Sequence, residues 1–185
     1  MKKVVLVFLL VLAGSIAANA QGYFSAGINA GVLIPTGDLG NAYKTSFGFG
    51  AEGTYKINKD LDIVGNVIYN ILTAKSAAWS DATVSITEGT AGVRYFFGSS
   101  QPKFFGEAAL GFYSTAVSYS TTVLGSPIKF SASNSDFGIN FGGGILAPLS
   151  PSLDFVGKLR YHNIFSSGSS TNFVTLSAGL DYKFK

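Results

Sequence analysis

From residue 22 onward the apolar residues alternate with polar ones instead of gathering in blocks. The last stretch shows it most clearly. Val174, Leu176, Ala178, Leu180, Tyr182 and Phe184 share one face, and Thr175, Ser177, Gly179, Asp181 and Lys183 share the other. Leu153, Phe155, Gly157, Leu159 and Tyr161 oppose Asp154, Val156, Lys158, Arg160 and His162 in the same way. A period of two is the signature of a strand with unlike faces. Eight such segments are expected, at roughly 22–34, 45–57, 60–73, 83–97, 103–118, 129–147, 153–165 and 172–184. None carries a convincing helical stripe.

The connections alternate as well. Short turns fall at Asn58 to Asp60, Gly98 to Pro102 and Pro148 to Ser152. Longer polar loops are expected near 35–44, 74–82, 119–128 and 166–171. The third, Ser118 to Pro127, is rich in Ser and Thr, lacks charge, and reads as an exposed mobile loop.

Composition sharpens the choice of solvent. Of 185 residues, 47% are hydrophobic and only 12% charged, against about 25% charged in an ordinary soluble domain. Yet no segment after residue 20 approaches the roughly 18 unbroken apolar residues of a membrane helix. Cysteine is absent, which excludes disulfide staples and thiolate metal sites. The formal charge of +3 includes Lys2 and Lys3 of the N-terminal segment. The high pI is therefore no argument for nucleic-acid binding.

That N-terminal segment reads as an export signal. Lys2 and Lys3 precede the apolar run Val4 to Leu12, and Ala18-Asn19-Ala20 has the small-x-small form of a cleavage site. The expected organisation is a signal peptide over 1–20 and one β-barrel domain over 21–185.

Alternation alone fits two architectures. A soluble, lipocalin-like periplasmic barrel turns its apolar face inward; a membrane barrel turns it outward. Three features favour the membrane. The polar faces are rich in Gly, Ser, Thr and Asn with charges of both signs. Tyr55, Tyr95, Phe97, Phe104, Phe155, Tyr182 and Phe184 crowd the strand ends near the short turns, as a periplasmic aromatic girdle would. The strands also reach the roughly 9–11 residues needed to cross a bilayer when tilted. The expected fold is all-β: an eight-stranded antiparallel up-and-down transmembrane β-barrel, with both termini on the short-turn, periplasmic side.

A family resemblance points the same way. Gly27 and Gly31 are followed by Pro35-Thr36-Gly37-Asp38-Leu39-Gly40, by Phe47-Gly48-Phe49-Gly50, by Glu52-Gly53-Thr54-Tyr55 and by Tyr69. This resembles the opening of small outer-membrane β-barrel proteins of the OmpA/OmpX kind, in the form common in Bacteroidota. The ending Ala178-Gly179-Leu180-Asp181-Tyr182-Lys183-Phe184-Lys185 is similar to their closing strand. The resemblance implies an outer-membrane location, and outer-membrane lipid and the outer-membrane assembly machinery as partners. It implies no particular activity.

Inside an eight-stranded barrel, side chains fill the lumen. Glu52, Arg94, Glu107, Lys158 and Arg160 fall on the inward parity at comparable depth and are expected to form an interior charge network. A nearly neutral mixture suits mutual pairing better than a selective pore. Tyr161-His162-Asn163-Ile164 bears a faint likeness to the His-x-Ser motif of lipid A deacylases, but Ile164 stands where serine is needed. His162 is therefore read as a polar lumen residue. One His and scattered carboxylates predict no metal site, and Asp38 reads as a turn residue. Gly48/Gly50 and Gly142 to Gly144 lack the Lys and helix of a phosphate loop. Trp79 is a candidate for the outer interface. No catalytic, metal or cofactor site is expected. The role expected is structural or surface-interactive, with a small-solute pore second and a lipid-modifying enzyme third. Mass spectrometry of the exported protein is expected to find an N-terminus at Gln21; an uncleaved Met1 form in the outer membrane would contradict the signal assignment.

Overall fold

A computed structural model describes residues 23–75, 82–123, 126–166 and 169–184. The export signal and Trp79 lie outside the described residues. Eight strands close into one antiparallel barrel in sequence order. They are β1 (Phe24–Thr36), β2 (Tyr43–Lys56), β3 (Leu61–Ala74), β4 (Ala82–Phe97), β5 (Lys103–Val123), β6 (Ser126–Ser150), β7 (Leu153–Ser166) and β8 (Ser169–Lys183). The first and last pair directly, Ser25 with Lys183 through Thr36 with Asn172. Closure leaves the backbone no free edge within hydrocarbon, where each unpaired peptide group costs several kcal/mol.

The registers fix the geometry. One row of outward residues runs Phe24, Tyr55, Ile63, Val93, Ala108, Phe141, Tyr161 and Val174, and returns to β1 at Ile34. The row has climbed ten residues, so the shear is ten. Eight strands with that shear tilt by about 40°, within the range of transmembrane barrels.

Among the described residues, the outward face carries no charged residue between the girdle positions. Leu176 is 54% exposed, Leu180 42% and Tyr182 51%, whereas their neighbour Asp181 is 5% exposed. Surfaces this apolar need lipid rather than water. Two aromatic rows bound the band. Tyr55 and Phe47 on β2, like Phe104 and Phe112 on β5, stand eight residues apart. At a rise of ~3.3 Å and this tilt, that is about 20 Å along the membrane normal, close to the ≈25 Å apolar band of such barrels. In the upper row Phe112 meets Phe137 edge-on at 5.9 Å, and Phe137 stacks on Phe165 at 6.4 Å.

The short turns are built locally. Asn58 Oδ1 accepts from the amides of Asp60 and Leu61. Gly98 takes φ 78°, where a side chain would be strained. At the other end the structure departs from expectation. The stretch 119–128 is mostly paired strand: the β5–β6 ladder runs from Tyr119↔Phe130 up to Val123↔Ser126, because alternating Ser, Thr and Val is as fit for a ladder as for a loop. Likewise β7 and β8 pair up to Ser166↔Ser169, and β6 persists through Ser150. The first loop contains a short helix, α1 (Gly37–Ala42), with Asp38 exposed in its first turn.

Two substitutions test the orientation. Leu159→Arg, mid-band and outward, is expected to cost about 2–4 kcal/mol of folding free energy, and Phe97→Arg at the rim no more than about 1. Denaturant titration in phospholipid vesicles measures both; equal small costs would mean that Leu159 does not face lipid.

Candidate functional site

Strand parity turns one side chain in two toward the lumen, and those side chains sort into layers. At mid-depth lie charges. Arg94 on β4 and Glu107 on β5 are direct register partners. The Arg94 guanidinium donates from Nε (3.0 Å) and Nη2 (2.7 Å) to Glu107 Oε2, and from Nη2 to Glu52 Oε1 on β2 at 2.7 Å. The other oxygen of Glu52 accepts from Lys158 Nζ on β7, which also reaches Asn66 Oδ1 at 3.3 Å. Arg160, two residues along β7, donates from Nη2 to Glu88 Oε1 at 3.1 Å and stands 4.0 Å from Glu107. Cations and carboxylates thus alternate, Lys158–Glu52–Arg94–Glu107–Arg160–Glu88, three of each sign. The Arg94 guanidinium also lies 4.3 Å from the centroid of the Phe105 ring.

All five residues singled out from the sequence lie in this layer, each under 5% exposed. Two further members were not foreseen. Glu88 shares the parity of Arg94, and only the register shows that it faces Arg160. His162 continues the chain: its Nδ1 lies 3.2 Å from Glu88 Oε2 and 3.1 Å from the Tyr113 hydroxyl, and its Nε2 lies 3.0 Å from Thr175 Oγ1. Phe173 stacks on the imidazole at 4.4 Å. Asn140 Nδ2 donates to Tyr113 Oη at 3.0 Å.

Glu88, His162 and Thr175 therefore stand in the carboxylate–imidazole–hydroxyl order of a nucleophilic triad. The surroundings do not suit that chemistry. Thr175 borders a slot of about 10 Å³ shared with Arg160, Asn29 and Asn70. Such a slot holds about one water and no ester. His162 points into the lumen, as its parity requires, and away from lipid.

Close packing depends on inward glycine. A Cβ on Gly27 would come within 1.8 Å of Asp181 Oδ1, and one on Gly142 within 2.0 Å of the Leu159 carbonyl. At both places the facing strand occupies the volume of a side chain, so the Gly-rich segments serve strand approach rather than phosphate binding.

Apolar clusters lie above and below the charges. Toward the long loops, Leu33, Leu72, Ile86, Ile164 and Phe173 pack with Val84 and Tyr113, and Leu39 of α1 and Val117 close over them. The alternation of Ile164 and Phe173 with outward Phe165 and Val174 could have revealed this layer. Toward the short turns, Phe96, Phe105 and Val156 form a smaller cluster beside a cavity of about 80 Å³. Lys56, Lys103, Asp62, Asp154, Asp181 and Lys183 line that cavity, and Lys183 Nζ pairs with Asp154 Oδ1 at 2.8 Å. Asp62 Oδ1 and Arg94 Nη1, both buried, have no hydrogen-bond partner among the described residues. No group of His and carboxylates among the described residues could hold a metal ion.

The seven residues expected in the lower aromatic row stand at the short-turn end, with Phe97 opposite Phe104 and Leu153 opposite Tyr182. Tyr55 and Phe155 are half-buried and the other five exposed. Tyr95 packs edge-on to Phe97 at 5.4 Å, and Tyr182 to Phe184 at 5.3 Å.

A closed antiparallel barrel, apolar outside and ionic within, is a transmembrane β-barrel of the outer membrane. Comparison with known proteins identifies which kind. Residues 4–184 match the family model "Outer membrane protein beta-barrel domain", and the chain belongs to that family. Among solved structures it is similar to Neisserial surface protein A (TM-score 0.58, 23% identity, 87% of this chain and 97% of that one). It is also similar to Ail, the attachment invasion locus protein of Yersinia pestis (0.56, 19%, 88% and 97%). A major outer membrane protein from Thermus thermophilus shares the fold as well (0.61, 13%, 89% and 100%). At these identities the likeness is one of fold. No curated protein matches the sequence.

Removing Arg94 leaves Glu107 with a single distant cation. Arg94→Met is expected to destabilise the barrel by about 3–5 kcal/mol, the cost of breaking a buried pair. Adding Glu107→Gln should recover at least about 1 kcal/mol of that loss. Vesicle unfolding titrations of the two singles and the double check it; strictly additive costs would mean that the pair is not coupled.

Proposed function

We propose that this protein is a membrane-anchored barrel with a sealed lumen, whose role at the cell surface is structural or interactive rather than catalytic or conductive. The observation that carries this reading is the layering of the lumen. An apolar plug of seven buried side chains sits directly above a neutral lattice of three cations and three carboxylates. Charges held this way are costly to separate, and no single sign lines a path as a selective pore requires. Outside, the aromatic rows act as girdles that hold the barrel at the level of the outer-membrane lipid. The assembly machinery of that membrane inserts it. Neither a cofactor nor nucleic acid enters this function, and the Glu88–His162–Thr175 line orders the lumen instead of cleaving a substrate.

A pore for a small solute is the second reading. It is favoured by the cavity at the short-turn end, where Asp62 and Arg94 keep unpartnered atoms. Planar-bilayer recording separates the two. Electrical silence is expected of the wild-type protein and of Glu107→Ala. Steady open steps that Glu107→Ala enlarges would overturn the sealed lumen and establish the pore.

A further inference from the structure

The six charges of the mid-depth lattice are paired, but four charges below it are not. Lys56 on β2, Asp62 on β3, Lys103 on β5 and Asp181 on β8 all line the cavity of about 80 Å³ at the short-turn end. Asp62 is 7% exposed and Asp181 5%, and both lysines are half-buried. Among the described residues, none of the four stands within ion-pair distance of an opposite charge. Asp62 faces Lys56 in the register of β2 and β3, yet Lys56 Nζ turns to the Tyr23 hydroxyl at 3.3 Å. Lys103 Nζ lies 5.5 Å from the centroid of the Phe96 ring. Asp62 Oδ1 is buried without a hydrogen-bond partner, and no side-chain hydrogen bond among the described residues reaches Asp181. The adjoining Asp154 and Lys183, by contrast, satisfy each other at 2.8 Å.

Carboxylates this buried are almost always paired. Two of them, left with two lysines around one void, are costly unless something fills it. Size and charge limit what that is. A water needs roughly 10–15 Å³ of such space, so the cavity takes one molecule of about five or six non-hydrogen atoms. The unpaired lining is neutral, two cations against two carboxylates. A single inorganic ion would match one sign and leave the other without a partner. Water brings no charge to either. A molecule neutral overall, with an ammonium at one end and an acid group at the other, matches both.

We propose that this cavity binds a small zwitterion, an α-amino acid of the size of glycine or alanine, entering from the short-turn side. Its carboxylate accepts hydrogen bonds from Lys56 and Lys103, and its ammonium donates to Asp62 and Asp181. Charge-assisted bonds of this kind are the strong ones. Arg94, bonded to Glu52 and Glu107, closes the cavity toward the lattice. The proposal goes beyond the sealed-lumen reading and is compatible with it, because it requires binding and not passage.

The full protein in detergent micelles, titrated with glycine and followed by its backbone amide NMR signals, provides the test. Low salt keeps screening small. Saturable shifts at the cavity residues are expected, with acetate and methylammonium each binding at least tenfold more weakly than glycine. Two substitutions separate the ends of the ligand. Asp181→Asn is expected to weaken glycine at least tenfold without weakening acetate. Lys103→Gln is expected to weaken glycine as much without weakening methylammonium. A heat-dependent gel shift verifies that each variant still forms the barrel, and the three-ligand comparison on the wild-type protein needs no variant. Absence of a saturable shift would mean that water alone fills the cavity and would overturn the proposal. Equal binding of glycine and of either single ion would overturn it too, as would glycine binding that neither substitution weakens.

Discussion

A peptide group has no water to bond with inside a bilayer, and the rest of this structure follows from that constraint. It requires every strand to have two neighbours, so the pairing of β1 with β8 is as necessary as any hairpin. Closure with a shear of ten then fixes the width of the lumen, and the width fixes what can fill it. Eight tilted strands leave room for side chains only. The sequence answers with glycine where strands crowd and with long charged groups where the space opens.

The inward charges are a consequence of this inside-out solvent order. A barrel in lipid cannot turn Arg94 or Lys158 outward, so they are paired within. The lattice is neutral because each cation must find a carboxylate in a region that excludes bulk water. Apolar residues then close the end that faces outward. The fold thereby separates two tasks. The wall meets lipid and the lumen gives rigidity, while the parts beyond the membrane are free to meet other molecules.

Much of this was legible in the chain. The alternation of Leu176, Leu180 and Tyr182 against Asp181 and Lys183 gave both the strand and its orientation, since a period of two admits only two faces. The depth of Glu52, Arg94, Glu107, Lys158 and Arg160 could be counted from the short turns, because those turns leave little freedom in register. Glu88 escaped because its partner lies across the lumen, at a separation that no local pattern encodes. The plug of Leu33, Leu72, Ile164 and Phe173 escaped for a different reason. An apolar residue at an inward position contradicts the simple apolar-out rule, and only closure shows that the top of the lumen is dry. Only the outer part of the β5–β6 hairpin, 119–128, looks like a loop in the sequence, because uncharged Ser and Thr residues suit both states.

The span of the charge lattice bears on how the molecule comes into being. Glu52 and its partner Lys158 are 106 residues apart. The members sit on β2, β4, β5 and β7, so no hairpin by itself contains the lattice. Until the seventh strand arrives, Glu52 and Glu88 lack cations that they have in the finished barrel and must stay hydrated. Partly inserted intermediates would therefore hold water in their interior, and expelling it would coincide with the final joining of the wall. The complete lattice therefore exists only in the closed barrel and in none of its hairpins.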